Sequence, residues 1–359
     1  MSDIIEHKPL EPQPWSKLKI LRWKSGGVFV VVIVAIIILV SLFGTIIDNL
    51  YPREPMVLGA TFSSTYAQSL GLDWRNAYTA SLDDLGVRLF RIPAYWNQIE
   101  PKSHVFDFSD LDWMLDEAVK RDAKVILATG MRLPRWPECH IPDWAKNLKE
   151  DEFRSEILIM LRTVVQRYGS HPAVIAWQVE NEPLLESFGE CPEPNIDFLK
   201  EEVNFVRNQD NHPIIVTESG EFSSWLGTAG ISDVVGISMY RVAWNNILGQ
   251  IFYPIGPSFY RNKAKAVRLV SDKIIVSELQ AEPWASEGIL NMPLEDQFKS
   301  MNSSHLKENI RFASRAGFDE TLLWGIEWWY WLKEKQNEDS VWNTGKSLFE
   351  KSPLPSDLR

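Results

Sequence analysis

DEFRSEILIMLRTVVQRYGSHPAVIAWQVENEP, residues 151–183, holds one full repeat of the pattern from which this chain is built. In its first half Phe153, Ile157, Leu158, Leu161 and Val165 fall on one face at helical spacing, which predicts an amphipathic helix over 151–168. Its second half, AVIAWQV at 173–179, is a short apolar run rich in branched residues that closes on polar ones. Such a run predicts a strand buried on both faces, the kind a parallel sheet needs.

Outward from this unit the pattern recurs. Strands are expected at 57–61 (VLGAT), 87–92 (VRLFRI), 124–128 (KVILA), 173–179, 213–217 (PIIVT), 234–239 (VVGISM), 273–277 (KIIVS) and 321–325 (TLLWG). Between them lie helical patterns such as 110–121, where Asp110 is a candidate cap and Leu111, Met114, Leu115, Ala118 and Val119 form the apolar stripe. Eight alternations in about 300 residues favour a closed (β/α)₈ TIM barrel over an open doubly wound sheet. In such a barrel the active site lies at the C-terminal ends of the strands. The polar residues that close the strands are Arg91, Asn181 with Glu182, Glu218, Tyr240 with Arg241, Glu278, and the run from Trp324 through Glu327 and Trp328. Carboxylates beside arginine and aromatic rings are what glycoside cleavage requires: one carboxyl protonates the leaving oxygen and a second attacks or stabilises the oxocarbenium-like centre.

These residues carry a resemblance. AWQVENEP at 176–183 resembles the fourth strand of glycoside hydrolase clan A, the retaining β-glycosidase barrels that include cellulases and β-galactosidases. IIVSELQAEPW at 274–284 is similar to the clan's seventh strand, RLFRIPAYWNQIEP at 88–101 to its second and LLWGIEWWYW at 322–331 to its eighth. The resemblance implies a retaining hydrolase that cleaves β-glycosidic bonds by double displacement through a covalent glycosyl-enzyme, with Glu182 as acid/base and Glu278 as nucleophile. It implies that Asn181 binds the sugar 2-hydroxyl, that Tyr240 and Arg91 hold Glu278, and that Trp324 or Trp328, with Trp324 preferred, is the platform under the sugar. Arg91 is then expected to keep Glu278 ionised, while a drier Glu182 has a raised pKa. Glu218, in TESGE, is the rival for nucleophile. The third strand departs from the clan: where many members place a histidine, this chain reads ATGMRLPRWP, with Arg132 nearby. A transglycosylase remodelling cell-surface glycan, or a non-catalytic carbohydrate-binding barrel, would keep the same scaffold.

Composition narrows the partners. The net charge is −11, and residues 51–359 carry −12, which argues against nucleic acid, whose phosphates need a basic face. A neutral oligo- or polysaccharide suits an acidic body. Tryptophan is abundant, 16 in all, with four between Trp324 and Trp331, and indole faces stack on sugar rings. The six histidines form no His-x-His or His-x-x-x-His pair, no Cys-x-x-Cys occurs, and no glycine-rich phosphate loop is present. No metal and no cofactor are therefore expected.

Residues 25–47, SGGVFVVVIVAIIILVSLFGTII, contain no charged residue, enough for a membrane-spanning helix. Lys17, Lys19, Arg22 and Lys24 precede it and Asp48 follows. The positive-inside rule makes 1–24 a cytoplasmic segment, 25–47 a single uncleaved anchor, and 51–359 an extracytoplasmic catalytic domain. The only two cysteines, Cys139 and Cys191, lie in proline-flanked loops after the third and fourth strands. Those loops are neighbours in a barrel, and a disulfide between them is expected outside the cytoplasm. The segment 241–262 reads as a long aromatic insertion after the sixth strand.

Overall fold

The computed structural model describes residues 55–355 apart from 187, 246–248, 272 and 285–287. Eight parallel strands close on themselves: β1 (Val57–Thr61), β2 (Leu89–Pro93), β3 (Lys124–Thr129), β4 (Val174–Val179), β5 (Ile214–Glu218) and β6 (Val234–Met239), followed, after an inserted hairpin, by β9 (Lys273–Gln280) and β10 (Glu320–Trp324). β10 pairs with β1 over five residues from Val57↔Glu320 to Thr61↔Trp324, which completes the ring. The hairpin is β7 (Val242–Asn245) with β8 (Gly249–Phe252), an antiparallel pair inside the segment read as an insertion. The expected strands at 57–61 and 234–239 are reproduced residue for residue, and the other six shift by a few residues at their ends.

Period-two alternation divides the barrel into an apolar floor and a polar top. Leu89, Ile126, Ala176, Ile215, Val234, Ile275 and Leu322 pack together inside the barrel. Two residues further along their strands come Arg91, Ala128, Gln178, Thr217, Gly236, Ser277 and Trp324, so the next layer toward the C-terminal ends brings in the first polar side chains. The outer faces of the strands pack on the helices through a second, larger core that includes Phe90, Leu127, Trp177, Val216 and Leu323.

The helices follow their apolar stripes. The expected 151–168 helix is Glu150–Tyr168, with Ile157, Leu161 and Val165 buried, and the expected 110–121 helix is Ser109–Val119. Asp110 does not cap the latter: it lies inside the first turn, where it favours the helix dipole, and it pairs with Arg75 at 2.8 Å. Val119, placed on the stripe, is instead exposed at the helix end.

The expected anchor over 25–47 lies outside the described residues, as does the 1–24 segment. Among the described residues no helix is long and apolar enough to cross a membrane.

Candidate active site

Glu278 reaches the barrel mouth through an irregularity in its strand. Alternation from Ile275 would turn Ser277 inward. The β6–β9 register runs Ile237↔Val276 and then Ser238↔Glu278, so the ladder skips Ser277, which stays beside the inward Gly236, and Glu278 turns inward as well. A bulge that re-aims a side chain is a recurrent device beside active sites. There Arg91 Nη2 donates to Glu278 Oε1 at 3.0 Å and Tyr240 Oη donates to Oε2 at 3.0 Å. Arg91 is wholly buried and fixed by a further bond from Nε to Thr61 Oγ1 (2.9 Å). An arginine with no solvent contact needs a buried anion, and Glu278 provides it.

Glu182 comes from the turn after β4. Glu180 and Glu182 both have positive φ, +59° and +44°. That region is uncommon for residues other than glycine, and such strain gathers at functional sites. The turn is held by Asn181 N–H to the Arg132 carbonyl (2.7 Å) and by Glu182 N–H to Thr217 Oγ1 (2.7 Å). Glu182 Oε1 is buried without a hydrogen-bond partner among the described residues. Burial pushes the Glu182 carboxyl well above the usual range, and the charge of Glu278 pushes it further. The Ser238 hydroxyl pulls the other way, while Glu138 and Glu221 add to the rise. A carboxyl kept protonated beside a partner gripped by arginine and tyrosine is the asymmetry that an acid and a nucleophile need.

The remaining expected residues divide. Asn181 is buried in the same cluster. Its Oδ1 accepts from Gln178 Nε2 (3.2 Å) and Thr217 Oγ1 (3.2 Å), and its Nδ2 donates to Glu138 Oε2 (3.1 Å). Trp324 closes β10 with its ring beside the guanidinium groups of Arg135 (4.1 Å) and Arg91 (5.5 Å). Trp328 is a correction. It is completely buried, with Nε1 bonded to Gln297 Oε1 at 2.7 Å, so its ring belongs to the helix Ile326–Gln336 and the outer core rather than the sugar site. The helical turn after β10 carries it away from the mouth. Glu218 is buried at the end of β5, but its Oε1 faces the helix Leu226–Ala229, 3.2 Å from where a Cβ on Gly227 would stand. Arg91 and Tyr240 hold Glu278 instead.

Three side chains of the mouth, Glu138, Arg135 and Glu282, escaped the sequence reading. Glu138, next to the Cys139 half of the disulfide, is pushed up to about 8 by burial and by the nearby charge of Glu278. Arg135 pairs with Glu282 and, at 3.0 Å, with Glu327. Both carboxyls are raised above their ordinary values, chiefly by burial, with Arg135 opposing the rise. The loop that carries Glu138 and Arg135 is tied down by the expected bridge: Cys139 and Cys191 are disulfide-bonded, with Cα atoms 5.2 Å apart. Reading ATGMRLPRWP for a missing histidine drew attention to Arg132, whereas the residues that enter the site lie three and six positions further on.

Among the described residues one group brings metal-type donor atoms within 4.8 Å of one another: Glu100, His104 and Glu156. Both oxygens of Glu100 are already engaged, by Trp96 Nε1 (2.7 Å) and the His104 N–H (2.7 Å), so the group serves the loop after β2. A cavity of about 400 Å³ beside Arg88, Arg121 and Lys124 opens at the other end of the barrel, where β2 and β3 begin.

A closed parallel barrel with one carboxyl in the turn after the fourth strand and another on the seventh, gripped by arginine and tyrosine, has the architecture of the clan A glycoside hydrolases. The comparisons agree with that class. A β-galactosidase family model, glycoside hydrolase family 42, matches residues 73–207. The β-galactosidase BgaA of Clostridium cellulovorans is 26% identical over 167 residues, 40% of this chain and 25% of that protein. The β-galactosidase Pbg of Clostridium perfringens is 32% identical over 137 residues, 32% of this chain and 19% of its own length. The matches thus span a quarter or less of these curated relatives. Among solved structures, a β-galactosidase from the psychrophilic Marinomonas ef1 superposes with a TM-score of 0.55 at 15% identity, covering 82% of this chain and 59% of the other. A GH5_18 protein from Bifidobacterium longum subsp. longum gives 0.60 at 13%, covering 84% and 81%. At these identities the superpositions speak for the fold alone. The resemblance to clan A read from the sequence is borne out.

Proposed function

We propose that this chain is a retaining β-glycosidase in which Glu278 is the nucleophile and Glu182 the acid/base. In the first step a Glu278 carboxylate oxygen attacks the anomeric carbon while Glu182 gives its proton to the departing glycosidic oxygen, leaving a covalent glycosyl-enzyme. In the second, Glu182, now ionised, takes a proton from water, whose oxygen displaces Glu278 and regenerates both groups. The observation that carries the reading is the division of environments: Glu278 receives Arg91 and Tyr240, while Glu182 is buried and driven toward its neutral form. Trp324 and Asn181 would orient the sugar. The similarity to β-galactosidases over 73–207 makes β-galactosides the first substrates to test. A 2-deoxy-2-fluoro-β-galactoside with a good leaving group should inactivate the enzyme and leave its mass on the peptide containing Glu278. A label on Glu218 would refute the assignment.

Membrane attachment forms part of the proposal. The uncharged run 25–47, the lysines and arginine before it, and a disulfide in the catalytic domain support a cytoplasmic N-terminus and an extracytoplasmic barrel. External protease acting on intact cells should release the barrel; protection of the barrel would refute this orientation.

A further inference from the structure

The turn that presents Glu182 rests on a second pair of acids, Glu180 and Glu202, which the cleavage steps leave unused. Glu180 opens the turn with φ at +59°. Its carboxylate is bound by two backbone N–H groups of the loop after β3: the Met131 N–H donates to Oε1 (2.7 Å) and the Arg132 N–H to Oε2 (2.6 Å). Gly130 leaves room for this, since a side chain there would collide with the carboxylate. The Arg132 carbonyl accepts the Asn181 N–H at 2.7 Å, so Glu180 grips the same strip of backbone that fixes its neighbour.

Glu202 reaches Glu180 from the helix Ile196–Arg207, and each is only 3% exposed. The two carboxyls are hydrogen-bonded to each other, and no N–H or hydroxyl among the described residues reaches Glu202 Oε1. A carboxylate only accepts, so a bond between two carboxyls requires that one of them be an acid. Glu180 already accepts two N–H bonds, which favour its charged form, so the proton belongs to Glu202. The other charges that face the pair are Arg132, from the loop after β3, Arg154, from the helix Glu150–Tyr168, and Glu201, from the helix of Glu202 itself. Arg154 is ion-paired with Glu150. Burial raises both carboxyls; the two N–H bonds oppose the rise at Glu180, and the charge of Glu180 adds to it at Glu202.

We propose that Glu202, as a buried neutral acid, is a positioning residue for the acid/base: by donating to Glu180 it holds the strained 180–182 turn in the conformation that aims Glu182, and loss of its proton releases that turn. The proposal rests on the glycosidase reading above. Glu180, Asn181 and Glu182 are consecutive, so a shift at the first is passed to the third through two peptide units. Glu182 Oε1 is buried without a hydrogen-bond partner among the described residues, so the turn has to supply much of its aim. Two ionised carboxylates in so dry a place repel each other, and the grip of Glu180 on Met131 and Arg132 is what yields.

The test compares two β-glycosides of one sugar, one with a poor alkyl leaving group and one with a dinitrophenyl group that departs without a proton. Values of kcat/KM, which report the glycosylation step, are measured for wild type, Glu202→Gln and Glu202→Ala. Glutamine keeps a donor for Glu180 and has no proton to lose, so Glu202→Gln should match wild type at neutral pH on both substrates. Glu202→Ala should lose about tenfold or more on the alkyl glycoside, part of the roughly 10²–10⁴-fold that a general acid supplies, and less than about twofold on the dinitrophenyl glycoside. Equal losses on both substrates mark a merely structural residue and overturn the proposal, as does an unchanged alkyl-glycoside rate in folded Glu202→Ala. If Glu202→Ala does not fold, the alkaline limb on the alkyl glycoside decides. It should reflect two proton losses in wild type, from Glu182 and from the pair, and one in Glu202→Gln; identical limbs overturn the proposal. Turnover of the dinitrophenyl glycoside by wild type keeps the glycosidase reading standing whatever the variants do. Failure of wild type on a panel of aryl β-glycosides overturns that reading, and the proposal with it.

Discussion

Glu138→Gln isolates one titration and leaves the contact that shares it. Glutamine keeps an oxygen for Asn181 Nδ2, which now donates to Glu138 at 3.1 Å, but has no proton to lose. Burial and the charge of Glu278 carry the Glu138 carboxyl from an ordinary 4.5 to about 8. In the folded protein it therefore stays protonated across a range in which the unfolded chain has ionised. Linkage sets the sign: a raised carboxyl contributes its full stability below about pH 4.5, and that contribution is lost as pH rises through about 8. For this shift the loss is about 3 kcal/mol between pH 4.5 and pH 7 and about 4 kcal/mol by pH 9. Chemical denaturation of both proteins across that range gives the test. The stability of Glu138→Gln relative to wild type should climb by those amounts as pH rises. Two parallel curves would mean that Glu138 ionises normally in the folded state, and the picture of a dry, crowded mouth would fail.

Other perturbations give separate outcomes. Replacing Cys139 and Cys191 by serine opens a link between residues 52 positions apart and should lower unfolding stability by about 4 kcal/mol on chain-entropy grounds, read by denaturant titration with and without reductant. Glu182→Ala should cost roughly 10²–10⁴-fold in kcat on substrates with poor leaving groups and far less on activated aryl glycosides, because only the former need a proton; equal losses on both would contradict its role. Trp328→Phe removes the bond to Gln297 and should cost about 1–3 kcal/mol of stability with KM unchanged, whereas a large rise in KM would return Trp328 to the sugar site.

The barrel was legible because its strands are buried on both faces and read as apolar runs separated by amphipathic helices. Helix 151–168 and strand 57–61 show how little tertiary context such segments need. Glu182 and Glu278 were legible through resemblance, not through alternation. Strict period two puts Ser277 in the pocket, and only a bulge, which leaves no mark in a single sequence, brings Glu278 there. Trp328 was misplaced because a dense tryptophan run does not reveal where the strand stops. Gly325 breaks the strand, and the following helix turns the ring outward. Glu138 and Arg135 were missed for a different reason. Each acts from a hairpin, and Arg135 meets its partners 147 and 192 positions away across the mouth, a separation that no local pattern encodes. The cysteine pair was found because adjacency of consecutive barrel strands brings its two loops together.

The central claim is that Glu278 forms the covalent bond to the sugar. It is tested most directly by Glu278→Ala on an activated aryl β-glycoside, with and without azide. Loss of the nucleophile should lower turnover by roughly 10⁴-fold or more. Azide should restore part of it by entering the space left by the carboxylate, so that the product is the α-glycosyl azide, inverted from the substrate. A β-configured azide from Glu278→Ala, or α-azide rescue in Glu218→Ala instead, would contradict the assignment.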